Sequence, residues 1–324
     1  MSKKYTILGV FLIIIICLSA SCSSNSPASL STPLKVEWTD WPGDYTILVA
    51  DQMGLFKKYG VNVDLIHYDL STKALPDLAG GKLDGGILTM SDLLLAANLT
   101  DIKAVMVSDN GGQYSLVASP DIKTVTDLQG KRIGLNLHTS GEMFVTEMLK
   151  TKYLTANEVT FVELSPDQVS ASIPNQIDAG LVWEPYTSQA IKQGKVVVFQ
   201  SDFISSLLPR LIVFRSSVIE QHPQDIHAFL RAWDEAVQYR NTHPQESLSL
   251  IANATSKNAS QLNITGKITL FSIADNVGLF SNPAGSDPSS IYFLAGTNRD
   301  FLVSAGYLTS PPSINSLLDP TFLK

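Results

Sequence analysis

From residue 34 onward the chain switches repeatedly between two spacings of apolar positions. Short runs rich in branched residues, Lys35-Val36-Glu37-Trp38, Val61 to Ile66, Gly85 to Leu88 and Lys103 to Val107, read as strands. Between them apolar positions recur at helical intervals over 45–59, 73–79 and 92–98, the first carried by Ile47, Leu48, Met53, Leu55 and Phe56 and ended near Gly60. The alternation resumes with strands at 132–135, 159–163, 179–183 and 195–199 and helices at about 140–150, 166–172 and 185–193. Extended runs stand at 115–119 and 210–215, and the chain beyond is mainly helical. Strand and helix alternating this often predict an α/β fold.

Two stretches echo one another. Gly81-Lys82-Leu83-Asp84-Gly85-Gly86-Ile87-Leu88-Thr89 and Asn175-Gln176-Ile177-Asp178-Ala179-Gly180-Leu181-Val182-Trp183 share the order apolar, Asp, small, Gly, then two apolar residues. Each closes a helix and opens a buried strand. Two unrelated αβ turns would account for this, since Asp and Gly favour turns; two lobes built on one plan would as well. In α/β sheets ligands bind beyond the carboxyl ends of strands, which selects Thr89-Met90-Ser91 in one unit and Trp183-Glu184-Pro185 in the other.

Before this body, Lys3 and Lys4 precede an uncharged apolar run from Ile7 to Leu18, followed by Ser19-Ala20-Ser21-Cys22. Twelve apolar residues are too few for a spanning helix, which needs ~20, and the pattern is that of an export signal over residues 1–21. Small residues before a cysteine resemble a bacterial lipobox, which would make Cys22 the lipid-modified first residue of the mature protein; cleavage without lipidation is the alternative. Residues 22–33 are Ser-rich and punctuated by Pro27 and Pro33, the composition of a flexible tether. The expectation is a protein anchored at the extracytoplasmic face of a membrane. In 324 residues, 44% are hydrophobic and the formal charge is −7, about −9 once the signal is removed. That acidity excludes a nucleic-acid binder as the main reading. The two cysteines, Cys17 and Cys22, leave the folded part without a disulfide or cysteine metal site.

Three blocks resemble the nitrate/sulfonate/bicarbonate/taurine group of ABC-transporter solute-binding proteins, which also includes pyrimidine-precursor binders. Ala50-Asp51-Gln52-Met53-Gly54-Leu55-Phe56-Lys57-Lys58-Tyr59-Gly60-Val61 is similar to the group's A-x-x-x-G-x-F-x-x-x-G-[LIV]. Thr126 to Gly134 is similar to its S/T-D-L-K-G-K-x-I-G, and Ile177 to Tyr186 to its V-D-A-x-x-x-W-x-P-[YF]. The resemblance implies a periplasmic-binding-protein-like fold of type II: two α/β lobes, 34–115 with 214–324 and 116–213, joined by crossovers at about 115–120 and 211–216. It implies capture of a small polar molecule or anion by closure of the cleft, delivery to a permease and ATPase complex, and a monomer that needs no cofactor or metal. A sensory or scavenging binder without a transporter, a binder of a pyrimidine or thiamine precursor or of an amine, and an exported enzyme are the alternatives.

Candidate ligand contacts follow from strand ends and helix starts. Trp38, Asp40 and Trp41 follow the first strand; the indoles offer stacking faces, Trp38 being equally suited to a core and Trp41, beside Pro42-Gly43, to a pocket. Asp44 reads as a helix N-cap. Thr139-Ser140-Gly141-Glu142 has capping-box spacing and opens a helix, where backbone N–H groups favour an anion; the resemblance assigns an oxyanion to this segment. Met90 and Ser91 begin an opposing helix. Asp109 starts a Gly-rich stretch to Tyr114, a turn or a ligand loop. Trp183, Glu184 and Tyr186 are selected by both the strand-end rule and the family pattern, Glu184 for a ligand ammonium or for the rim. No nucleophile elbow, phosphate loop or His-Glu-x-x-His motif occurs, and the five histidines are scattered; no catalytic residue is expected.

Overall fold

A computed structural model describes residues 32–111, 114–201, 208–259, 262 and 268–324. The export signal, Cys22 and the tether as far as residue 31 lie outside the described residues.

Two five-stranded sheets organise the chain. The first is ordered β2-β1-β3-β10-β4, with β1 (Leu34–Trp38), β2 (Val63–His67), β3 (Gly85–Thr89), β4 (Ile102–Asp109) and β10 (Arg210–Arg215). The second is ordered β7-β6-β8-β5-β9, with β5 (Ser115–Ala118), β6 (Arg132–Leu135), β7 (Thr160–Glu163), β8 (Ala179–Val182) and β9 (Val196–Gln200). Around the centre of each sheet the strands are parallel, β1 with β2 and β3, β6 with β7 and β8. One strand in each runs against its neighbours: β10 in the first, β5 in the second. The echoed segments open β3 and β8, the third strand of each sheet, so the repeat in the sequence marks equivalent places in two copies of one plan.

Both antiparallel strands enter directly from a crossing between the lobes. The segments expected as crossovers, 115–120 and 211–216, are therefore built into β5 and β10, and the chain crosses a few residues earlier, after Asp109 and between Gln200 and Arg210. Extended apolar sequence cannot by itself separate a linking segment from a sheet strand; here burial of every residue of Ser115–Ala118 and of all but the last of Arg210–Arg215 decides for strands. The two crossings touch. Gly111 has φ +67°, and a Cβ there would lie 1.9 Å from the backbone oxygen of Leu208. The backbone N–H of Ser201 donates to the Tyr114 carbonyl at 2.9 Å.

The helix expected over 45–59 is two helices, α1 (Tyr45–Gln52) and α2 (Leu55–Tyr59), because Gly54 takes φ +66° between them. Both pack on α9 (Pro223–Thr242), whose Trp233 and Phe229 are fully buried. The remaining helices of the first lobe include α3 (Leu75–Ala79) and α4 (Met90–Ala96), followed late in the chain by α8 (Ser216–Gln221), α10 (Pro244–Thr255), α11 (Ile273–Leu279), α12 (Ile291–Ser304) and α13 (Ile314–Leu317). In the second lobe, α5 (Ser140–Lys150), α6 (Pro166–Ser172) and α7 (Tyr186–Lys192) cover the sheet. The outer edge of β4 is closed off: Val107 N–H donates to the Asn276 side chain at 2.7 Å, the Asn276 amide donates to Val107 O at 3.0 Å, and Leu318 bridges to Ala104. Among the described residues no helix is long and apolar enough to cross a membrane.

Gly111→Ala combines an unfavourable φ with a backbone collision at the crossing. It is expected to lower the urea midpoint by an amount equivalent to ~1–3 kcal/mol, measured by equilibrium unfolding of the mature chain. An unchanged midpoint would show that the crossings part without cost.

Candidate functional site

The parallel strands of each sheet point their carboxyl ends at the other lobe, and the two antiparallel strands begin at that same end. A single cavity therefore gathers Thr39 after β1, Thr89 at the end of β3 and Asp92 beyond it, Asn136 and Thr139 after β6, and Trp183 after β8. Tyr114 and Arg210, at the starts of β5 and β10, join them from the crossings. The cavity has a volume of about 50 Å³, the space available to the centres of water-sized bodies. One water needs about 10–15 Å³ on this measure, so the space suits a molecule of few heavy atoms.

Three aromatic rings form one wall. Trp41 lies 5.4 Å from Tyr114 and 5.9 Å from Trp183, centroid to centroid, and Tyr114 is 5.6 Å from Trp183. Trp41 is held in place by its Nε1, which donates to Asp109 Oδ1 at 3.2 Å, and by the Arg210 guanidinium 5.5 Å from its ring. Asp109 thus acts behind the wall, fully buried; it also accepts from Gly111 N–H at 2.8 Å.

Arg210 anchors the floor. Its Nε donates to Asp44 Oδ1 at 2.9 Å, and its Nη2 to Asp44 Oδ2 at 2.6 Å and to the Ile87 carbonyl at 2.7 Å. Asp44 also accepts from the Thr39 hydroxyl and N–H. Burial pushes the Asp44 carboxyl up to about 6 against the pull of Arg210. Burial depresses Arg210, but the carboxylates of Asp44 and Asp109 outweigh this and hold it above the ordinary arginine value. Asp44 is thus an ion-pair partner and makes no side-chain cap to α1, contrary to the N-cap expectation.

The two lobes meet along a polar seam. Ser140 Oγ donates to Ser91 Oγ at 3.0 Å, and Ser91 Oγ donates to Asn298 on α12 at 3.0 Å. The Tyr307 hydroxyl donates to Glu142 Oε1 at 2.8 Å, while Glu142 Oε2 accepts from His138 N–H at 2.7 Å. Ser91 and Ser140 therefore face each other as expected, but as lobe-to-lobe contacts. Thr139 caps α5, accepting from Gly141 N–H at 3.1 Å, and both residues border the cavity.

Of the remaining sequence candidates, Trp41 and Trp183 border the cavity and others do not. Met90 is fully buried in the first lobe's core, because it is the inward residue of the first turn of α4. Trp38 packs in that core against Tyr45 and His67. Glu184 turns back onto its own chain, accepting from Ser188 N–H and hydroxyl. Asp40 pairs with Lys257 and His67 at a second cavity of about 260 Å³ that Tyr186 and Trp183 also border. Arg210, Asp92, Thr39 and Asn136 were not among the sequence candidates. Asp92 and Arg210 occupy strand-end positions that the carboxyl-end rule reaches once β3 and β10 are known to be neighbours.

The family model described as NMT1/THI5 like matches residues 41–247. A Bacillus subtilis (strain 168) protein provisionally named as aliphatic sulfonates-binding is 26% identical over 260 residues, 75% of this chain and 77% of that one. The taurine-binding periplasmic protein of Escherichia coli K12 is 28% identical over 187 residues, 56% of this chain and 58% of that one. The alkanesulfonate-binding protein SsuA of Xanthomonas axonopodis pv. citri, solved with MOPS, superposes with a TM-score of 0.72 at 16% identity, covering 90% of this chain and 98% of that one. At that identity the likeness is one of fold.

Burial raises the Asp40 carboxyl, but hydrogen bonds from His67 and Lys257 outweigh it and bring it down to about 2. A carboxyl depressed on folding contributes stability above its unfolded value, near 4, and loses it as pH falls toward 2. Asp40→Asn is expected to remove the part of the acid-induced decline in melting temperature that falls between pH 4 and 2, measured by thermal melts across pH.

Proposed function

The chain belongs to the NMT1/THI5-like family, and on that premise we propose that it is the extracytoplasmic solute-binding component of an ABC importer. It captures a small polar organic molecule or anion of the sulfonate, taurine or nitrate kind between its lobes and passes it unchanged to a permease. The observation that carries this reading is the cavity itself: its border is made of strand ends, the turns and helix starts that follow them and residues beside the two crossings, and both lobes contribute to it. A ligand touching both walls favours the closed arrangement by as much as it binds that arrangement better.

On this reading the anionic head group sits at the start of α5, beside Thr139 and Gly141, where helix N–H groups and the helix dipole favour negative charge. The guanidinium of Arg210 borders the same space. Trp41 and Trp183 cover the organic part. The names of the relatives, a sulfonates binder and a taurine binder, support that chemistry. Cleavage before Cys22 and lipidation of that cysteine would tether the protein at the membrane face, and the mature chain would act as a monomer facing its permease and ATPase.

Binding without conversion is tested by incubating the mature chain with taurine, alkanesulfonates and nitrate, following closure by small-angle scattering and recovering the ligand intact. A chemically altered ligand would replace the receptor by an enzyme. Trp183 is half-buried and its ring borders the cavity, so Trp183→Ala is expected to weaken binding tenfold or more while shifting the melting temperature of the ligand-free protein by only a few degrees. Calorimetric titration beside thermal melts measures both; equal losses would make Trp183 a packing residue.

A further inference from the structure

Asp92 stands in the first turn of α4 and is 2% exposed, yet only one of its carboxylate oxygens is used by the fold. Oδ2 accepts from the Ser71 hydroxyl at 2.6 Å and from Thr89 N–H at 3.4 Å, completing a capping box in which Thr89 reciprocates at 3.1 Å. Oδ1 is buried with no partner, and Asp92 borders the cavity. A cap needs one oxygen, and leaving the second one dry and unmatched is costly. The neighbouring cation does not answer it, for the ion-pair partner of Arg210 is Asp44.

We propose that Asp92 is a ligand-binding carboxylate, and that the solute carries an ammonium or comparable cationic N–H group which donates to Asp92 Oδ1. This rests on the reading of the cavity as a solute site and narrows its ligand class. The other groups of the cavity agree with it. Trp41, Tyr114 and Trp183 give aromatic surface that attracts a cation. Thr39, Ser71, Thr72, Asn136 and Thr139 are neutral, Asp69 is an acid paired with Lys73, and Arg210, the cation of the border, is paired with Asp44. An anion head at α5 with an amine toward α4 would span the two lobes, so the ligand is a small zwitterion. Nitrate and unsubstituted sulfonates have no donor to offer and would set a second negative group against Asp92.

The test uses the mature chain with matched probes: taurine, its desamino counterpart ethanesulfonate, its hydroxyl counterpart isethionate, and the pair β-alanine and propionate. Calorimetric titration is expected to show at least one amine-bearing probe binding ten-fold or more tighter than its counterparts. Asp92→Asn, which keeps the cap acceptor, is expected to erase that preference while leaving the desamino probe within about three-fold, and to leave the melting temperature of the ligand-free protein equal or higher. Equal binding within both sets by the wild type, taurine with ethanesulfonate and isethionate and β-alanine with propionate, would overturn the proposal. So would a parallel loss of all probes in Asp92→Asn with a lower melting temperature, which would make Asp92 a structural cap only. If no probe binds the wild type, the broader reading of the solute class fails, and the melting comparison still decides between a carboxylate held for a ligand and one held for the helix.

Discussion

The structure turns on the buried pair of Arg210 and Asp44. Asp44 is fully buried and Arg210 nearly so, and they meet through two charge-assisted hydrogen bonds of 2.6 and 2.9 Å. Such a pair repays its desolvation only when the geometry is good and the remaining donors are satisfied. Here the Ile87 carbonyl accepts from Arg210 Nη2, and the Thr39 hydroxyl and N–H donate to Asp44. Removing one partner would strand the other charge, at a cost of about 3–5 kcal/mol. Because Arg210 opens β10, the pair also joins the returning strand to the loop after β1 and to the middle of β3. The guanidinium then supports Trp41 from beneath, so the shape of the aromatic wall depends on an ion pair that touches the cavity from one side only.

The carboxyl-end rule led to the cavity for Trp183 but not for Glu184, and the helix-start reading led there for Thr139 and Gly141, because both depend on local pattern alone. What escaped the sequence were groups whose roles come from distant partners. Arg210 reaches across 166 positions to Asp44, and without it Asp44 looks like any acidic residue before a helix. Asp40 looks available until Lys257 and His67 close on it. Met90 has the chain position of a ligand contact, and only the direction of its helix sends it inward. The two β-strands taken for linkers show the same limit: pairing is settled by neighbours that lie on the far side of a lobe.

The polar seam between lobes is made of two hydroxyls, a phenol and a carboxylate: Ser140, Ser91, Tyr307 and Glu142. Contacts of this kind exchange readily with water and contribute little net free energy each.

The strand order has a further consequence for how the molecule is assembled. β4 pairs with β10 and with no earlier strand of its sheet, and β10 begins a hundred residues later in the chain. A polypeptide emerging from its amino end therefore completes the whole second sheet, from β5 to β9, while β4 still lacks its strand neighbour. Until Arg210 arrives, the first half-sheet carries open edges rich in valine, methionine and isoleucine, the kind of surface that pairs with strangers. Closing both edges thus depends on the return of one short segment, β10.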